Sequence, residues 1–156
     1  MRFEHLVEIN DPNMPALDPL TADQVWQGLV LRGQSPELFV LGLDRAEITG
    51  RGDDWIERVL HFGKAEVRDR VVFESRRSVR YETAATADHA GGTLTMTIET
   101  PGPGALLLRF TYETTMPAVD ASGDDRYAEI VKSAYHEADL DTVRKIRELA
   151  STGRLG

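Results

Sequence analysis

The stretch GGTLTMTIETPGPGALLLRFTYETT, residues 91–115, holds two runs of alternating polarity on either side of a Pro-Gly-Pro-Gly turn. Leu94, Met96 and Ile98 share one side of the first run, and Leu106, Leu108, Phe110 and Tyr112 share one side of the second, the period of two that marks a half-buried strand. A parallel crossover needs about a dozen residues, far more than this turn supplies, so the two runs form an antiparallel hairpin with one apolar face.

The same punctuation recurs upstream. The turn-rich words TGRGDD, FGKAE, ESRRS and ADHAGG separate runs near 41–50, 54–62, 65–74 and 78–85, which join 92–100 and 105–116 in a six-stranded meander. Residues 2–9 alternate as well, with Phe3, His5, Val7 and Ile9 on one side. After the chain break NDPNMPALDP, Thr21 and Gln24 form a capping box. Val25, Trp26, Leu29 and Val30 then follow at helical spacing up to Gly33. Ser35 and Pro36 open a second short helix.

From about residue 123 to 151 the period becomes 3.6. Asp124 and Asp125 lie at its start and Arg144, Lys145 and Arg147 near its end, as the helix dipole favours. Tyr127, Ile130, Val131, Ala134, Ala138, Thr142, Ile146 and Leu149 fall on one broad face. This helix is ~40 Å long, and a ten-residue strand is ~30–35 Å, so the helix fits along the sheet. The predicted fold is α+β: a seven-stranded curved antiparallel sheet wrapped round a long C-terminal helix, with two short helices between strands 1 and 2, in a single domain over residues 1–156.

Acidic residues outnumber basic ones by 26 to 18, and the net charge of −8 disfavours nucleic acid and anionic membrane surfaces as partners. With no cysteine there are no disulfides or thiolate metal sites. The four histidines lack any paired metal-ligand spacing, so neither metal nor cofactor is expected. MRFEHLVEIN alternates charge with hydrophobicity, unlike a signal peptide, and no apolar run approaches the ~20 residues of a membrane span. The expected setting is cytoplasmic, as a monomer or a homodimer.

Several local words carry a family resemblance: EIND at 8–11, LTADQVWQGLVLR at 20–32, PELFV at 36–40, LHFG at 60–63, VRDRV at 67–71, LTMTIETP at 94–101 and LRFTYET at 108–114. With the element order, they make the chain resemble the START-like (SRPBCC) superfamily, which includes plant pathogenesis-related allergens and polyketide cyclases. Within it the chain looks most like the AtaL-like family. The resemblance implies the helix-grip fold and a cavity between sheet and helix. It implies no catalytic signature, because members of the superfamily serve as carriers, cyclases and chaperone regulators.

The residues can be read for a cavity in their own right. Ala134 and Ala138 are small where a solid core would place Leu or Ile. Facing them from the strands are Val71 and Phe73, Val79 and Tyr81, Met96 and Ile98, and Phe110 and Tyr112, among which tyrosine and methionine suit an adaptable wall. On composition alone, the same side chains fill a solid core equally well.

Asp69 shares strand parity with Val67, Val71 and Phe73. An acid in an apolar pocket is a candidate general acid, base or ligand anchor, and an ion pair with an arginine is the structural alternative. His5, beside Phe3 and Val7, is a candidate polar contact or a core histidine bonded to backbone. Arg68 and Arg70 alternate with the apolar face and should point outward to pair with Glu66, Glu74 and Glu82; a one-residue register slip would turn them into the cavity. RGD at 51–53 is turn chemistry. Three functions follow: a carrier or sensor of a hydrophobic or amphipathic small molecule, a cyclase- or dehydratase-like enzyme acting on a polyketide-like substrate, and a protein-interaction module.

Overall fold

A computed structural model of the chain describes residues 1–14, 18–86 and 91–155. The elements run β1 (Arg2–Asn10), α1 (Ala22–Gln34), a single 3₁₀ turn (Pro36–Leu38), β2 (Arg45–Arg51), β3 (Trp55–Phe62), β4 (Ala65–Glu74), β5 (Ser78–Thr83), β6 (Gly92–Glu99), β7 (Leu106–Thr114) and α2 (Arg126–Ser151). All seven strands form one antiparallel sheet in the order β1-β7-β6-β5-β4-β3-β2. The meander therefore runs from β2 to β7, and the chain's first strand closes on its last.

The hairpin of residues 91–115 has the register its pattern requires, with Leu94 opposite Tyr112, Met96 opposite Phe110 and Ile98 opposite Leu108. β1 continues the same face, placing Phe3, His5 and Val7 opposite Tyr112, Phe110 and Leu108. Register shifts between Glu8 and Asn10 and between Ile48 and Gly50 mark irregularities near the two edges. Such bulges bend a sheet, and here the bent sheet wraps round α2 in the helix-grip arrangement.

The Thr21 capping box is formed in full, its hydroxyl accepting from the Gln24 amide and the Gln24 side chain accepting from the Thr21 amide. Gly33 does not end the helix, as the sequence suggests, but lies inside it. A Cβ at Gly33 would stand 3.1 Å from the Phe73 ring and 3.3 Å from Val71, so the glycine admits the sheet rather than terminating a turn. The second short helix is reduced to the one 3₁₀ turn, and residues 41–44 precede β2 instead of belonging to it.

The core comprises Ile9, Val25, Leu29, Val71, Val79, Met96, Leu108, Phe110, Ile146 and Leu149, all under 2% exposed. Each large apolar side chain there contributes ~2 kcal/mol by leaving water. Helices α1 and α2 meet at Gly28, where a Cβ would lie 2.8 Å from Ile146. Arg147 ties α2 to the start of the fold, donating to the carbonyls of Ile9 and, at 2.8 Å, Asp18.

The buried side of α2 differs from the expected one. Ala128, Asp139, Thr142, Val143, Ile146 and Leu149 are buried, whereas Tyr127, Ile130, Ala134 and Ala138 are exposed. Thr142, Ile146 and Leu149 match the predicted face. In the N-terminal half the true face is rotated by about one residue, or ~100°. Ala134 and Ala138 thus point away from the sheet and leave no room beneath the helix.

Candidate functional site

There is nevertheless a cavity, displaced from the predicted place. It has a volume of about 720 Å³ and lies between the N-terminal half of α2 and strands β3 to β7, with the end of α1 at one side. That volume is within the usual range for small-molecule pockets. Tyr127, Val131 and Tyr135 line it from the helix; Leu60, Phe62, Val67 and Leu94 form an apolar wall on the sheet; Arg32, Arg58, Asp69, Tyr81 and Tyr112 supply polar groups. A cavity arises here because the C-terminal half of α2 is drawn onto the core at Ile146 and Leu149, while the N-terminal half buries only Ala128 before Asp139.

Of the eleven residues expected to bind a ligand, Asp69, Tyr81 and Tyr112 line this cavity. Val71, Met96 and Phe110 are fully buried core residues instead. Phe73 and Ile98 pack against that core. His5 lies in an aromatic cluster between β1 and α2. Ala134 and Ala138 face outward.

Asp69 is held as an ion pair. Arg58, its register partner on β3, grips both carboxylate oxygens at 2.8 and 2.6 Å, and both side chains are under 5% exposed. The guanidinium also donates to the Gly33 carbonyl at 2.9 Å. The pair therefore fixes α1 to β3 and β4 and cancels its own charge at the cavity wall. Arg68 and Arg70 point outward as expected, Arg68 pairing with Glu66 at 3.6 Å and Arg70 with Glu57 at 2.8 Å.

Tyr81 is 5% exposed, and the Arg32 and Arg58 guanidinium groups stand 4.9 and 5.2 Å from its ring centroid. This is cation–π packing. The Tyr81 hydroxyl and Arg32 Nε are buried with no hydrogen-bond partner among the described residues.

A second polar pair joins sheet to helix. Tyr112 donates its hydroxyl to Asp139 Oδ1 at 2.5 Å, and Asp139 Oδ2 is buried with no partner among the described residues. Burial pushes the Asp139 carboxyl up to about 7, against the opposing pull of the Tyr112 hydrogen bond and the Arg32 charge. Burial and the Asp139 charge in turn hold the Tyr112 phenol well above its ordinary value. Around this pair the Tyr112 ring stacks on Phe3 at 4.8 Å and on Tyr135 at 4.7 Å, and His5 meets His136 at 4.8 Å. Burial, with the neighbouring His136, lowers the His5 pKa, and His5 Nε2 is buried without a partner among the described residues.

His61 lies 3.7 Å from both Glu47 and Glu66. His89 lies outside the described residues. Among the described residues no group of three potential ligands is placed to hold a metal ion, and no helix is long and apolar enough to cross a membrane.

Arg58, Arg32 and Asp139 are the site residues that the sequence pattern did not single out. Arg58 shares parity with Ile56 and Leu60, and Arg32 follows Val25 and Leu29 on the buried side of α1. Those spacings were the available signals.

A bent antiparallel sheet gripping a C-terminal helix, with a small-molecule-sized cavity between them, is the helix-grip fold. Residues 7–153 match the family model of AtaL, acetylaranotin biosynthesis cluster protein L, and the chain belongs to that family. No curated protein matches the sequence.

Solved structures share the fold at low identity. The Zhui aromatase/cyclase from Streptomyces sp. R1128 is 18% identical over 97% of this chain and 93% of its own, with a TM-score of 0.63. The di-domain ARO/CYC StfQ from the steffimycin biosynthetic pathway is 13% identical over 97% of this chain and 50% of its own, with a TM-score of 0.69. Norcoclaurine synthase from Thalictrum flavum, in complex with dopamine and hydroxybenzaldehyde, is 14% identical over 94% of this chain and 85% of its own, with a TM-score of 0.60.

Proposed function

We propose that this protein binds an amphipathic small molecule between the sheet and the N-terminal half of α2, as a carrier or sensor. The observation that supports this best is the asymmetry of the cavity wall. Leu60, Phe62, Val67, Leu94 and Val131 present apolar surface, and Arg32, Tyr81 and Tyr112 present groups able to orient a polar end. Few polar groups on a largely apolar lining is the usual composition of a small-molecule site.

Native mass spectrometry of the purified protein tests the reading. A co-purifying compound should appear as added mass that disappears on denaturation, and it should be recovered chemically unchanged after incubation. A protein that stays unliganded and takes up no hydrophobic dye would end the carrier reading.

A second reading, an enzyme of the cyclase or dehydratase kind, is favoured by the Tyr112–Asp139 pair. A carboxyl that titrates near neutrality, in contact with a phenol on the cavity wall, has the composition of a proton relay. Two of the three structures named above are aromatase/cyclases, which makes a polyketide-like guest the natural substrate class for that reading. The same incubation separates the two readings, because an enzyme would return a cyclised or dehydrated product. Tyr112→Phe and Asp139→Asn should then abolish the conversion while leaving binding in place.

A further inference from the structure

The charges around the cavity do not cancel. Arg58 is neutralised by Asp69 through two short hydrogen bonds, and its remaining bond goes to the Gly33 carbonyl. Arg32 lines the same cavity but makes no ion pair among the described residues, and its buried Nε has no hydrogen-bond partner. Its guanidinium rests on the Tyr81 ring, which supplies a cation–π contact but accepts no hydrogen bond in the plane of the guanidinium. The nearby acid, Asp139, is pushed towards its neutral form by burial and is engaged by the Tyr112 hydroxyl. In a protein with a net charge of −8, this cavity thus carries an arginine whose guanidinium donates to no partner among the described residues. Guanidinium groups recognise carboxylates and similar oxyanions through such donors, and a partly desolvated, unpaired cation gains strongly from a matching anion.

We propose that Arg32 anchors an acidic oxygen group on the bound molecule, so that the ligand is an organic anion with an apolar or aromatic body. The body lies against Leu60, Phe62 and Leu94, and the acidic head meets Arg32 beside the buried Tyr81 hydroxyl. This assignment rests on the cavity being a binding site and adds the chemical class of its guest. Tyr81 acts as a positioning residue, since its ring holds the guanidinium at the wall.

Two dyes sharing one aromatic body provide the test: 1-anilinonaphthalene-8-sulfonate, which carries an acidic head, and N-phenyl-1-naphthylamine, which does not. Fluorescence titration of the wild-type protein should show the anionic dye bound at least tenfold more tightly than the neutral one. Arg32→Gln should weaken the anionic dye by roughly tenfold or more, the scale of one charge-assisted hydrogen-bonded contact, and leave the neutral dye unchanged. Arg32→Lys, which keeps the charge, should fall between.

If both dyes bind the wild type equally well, the anchor is overturned while the cavity stands. Arg32→Gln binding both dyes as the wild type does would have the same meaning. If neither dye enters the wild type, the cavity reading itself fails and the anchor with it. Should Arg32→Gln not fold, the wild-type ratio and Arg32→Lys still decide.

Discussion

Tyr112 on β7 and Asp139 on α2 are 27 positions apart in the chain, and their side chains meet in a buried hydrogen bond of 2.5 Å. The bond is the polar fastening at the middle of α2, between the half that seals the core and the half that roofs the cavity. Its acid is held near neutrality by burial, so the fastening has a pH dependence of definite sign. In the unfolded chain Asp139 titrates near 3.8, and in the folded protein near 7. Between those values the folded state holds a proton that the unfolded state has released. The stabilisation from Asp139 is therefore complete below about pH 4 and is lost as the pH rises through 7.

Asp139→Asn removes that titration. Relative to the variant, the wild type should lose ground from pH 5 to pH 8 by roughly 3 kcal/mol at most, the part of the shift that lies above pH 5. Urea unfolding of both proteins across this range measures the difference. Comparing the two cancels His5, whose lowered pKa has the opposite sign and removes stability as the pH falls through 6.5. A wild-type-minus-variant difference that stays flat from pH 5 to 8 would mean that Asp139 ionises like an ordinary surface acid.

Arg58 and Asp69 are each under 5% exposed and joined at 2.6 Å. Breaking such a pair from one side strands a buried charge. Arg58→Met or Asp69→Leu alone should cost about 3–5 kcal/mol, and the double variant should recover most of that loss. Chemical denaturation of the four proteins closes the cycle. Additive losses in the double variant would show that the two side chains are solvated separately.

The strand meander, the capped α1 and the terminal helix were legible because alternation, turn residues and helical spacing are local signals. Tyr81, Asp69 and Tyr112 could be placed on the inner face for the same reason. Arg58 was obscured because Val59 and Leu60 are both buried, one on each face of β3, so the run RVL has no unique polarity. The error on α2 has a different origin. Ile130, Ala134 and Ala138 make a second apolar stripe, and choosing between stripes required knowing that the buried Asp139 has Tyr112 as its partner. A contact of that range leaves no trace in local spacing. Gly33 shows the converse case, a glycine whose place in the sequence suggests a helix end but whose role is the close approach of Phe73.

Helix propensity and packing make opposite predictions at Gly28. Alanine in the middle of a helix is worth about 1 kcal/mol over glycine. Here, however, the new Cβ would stand 2.8, 3.1 and 3.2 Å from three side-chain carbons of Ile146, a β-branched residue that is 1% exposed. Both Cγ branches lie among the contacted atoms and Ile146 is buried, so turning the end of the side chain does not relieve the contact, and packing wins. Gly28→Ala should destabilise by about 1–2 kcal/mol, and Ile146→Ala, which removes all three contacted carbons, should make the added methyl cheaper in the double variant than in the wild-type background. A stabilised Gly28→Ala would show that α1 and α2 slide apart at little cost.

The location of the cavity is tested from its roof. Val131 lines it from α2 and is half-buried, one turn from Tyr127 and Tyr135 and clear of the Ile146 and Leu149 packing. Val131→Trp directs an indole into the space rather than into the core, where overpacking would be costly. The variant should keep its melting temperature within a few degrees, because the C-terminal half of α2 is untouched, and lose most of its uptake of N-phenyl-1-naphthylamine. Ala138→Trp, on the exposed side of the same helix, is the matched control and should bind the dye like the wild type. If the two variants behaved alike, the dye would be sitting elsewhere, and the space beneath Val131 would not be the binding site.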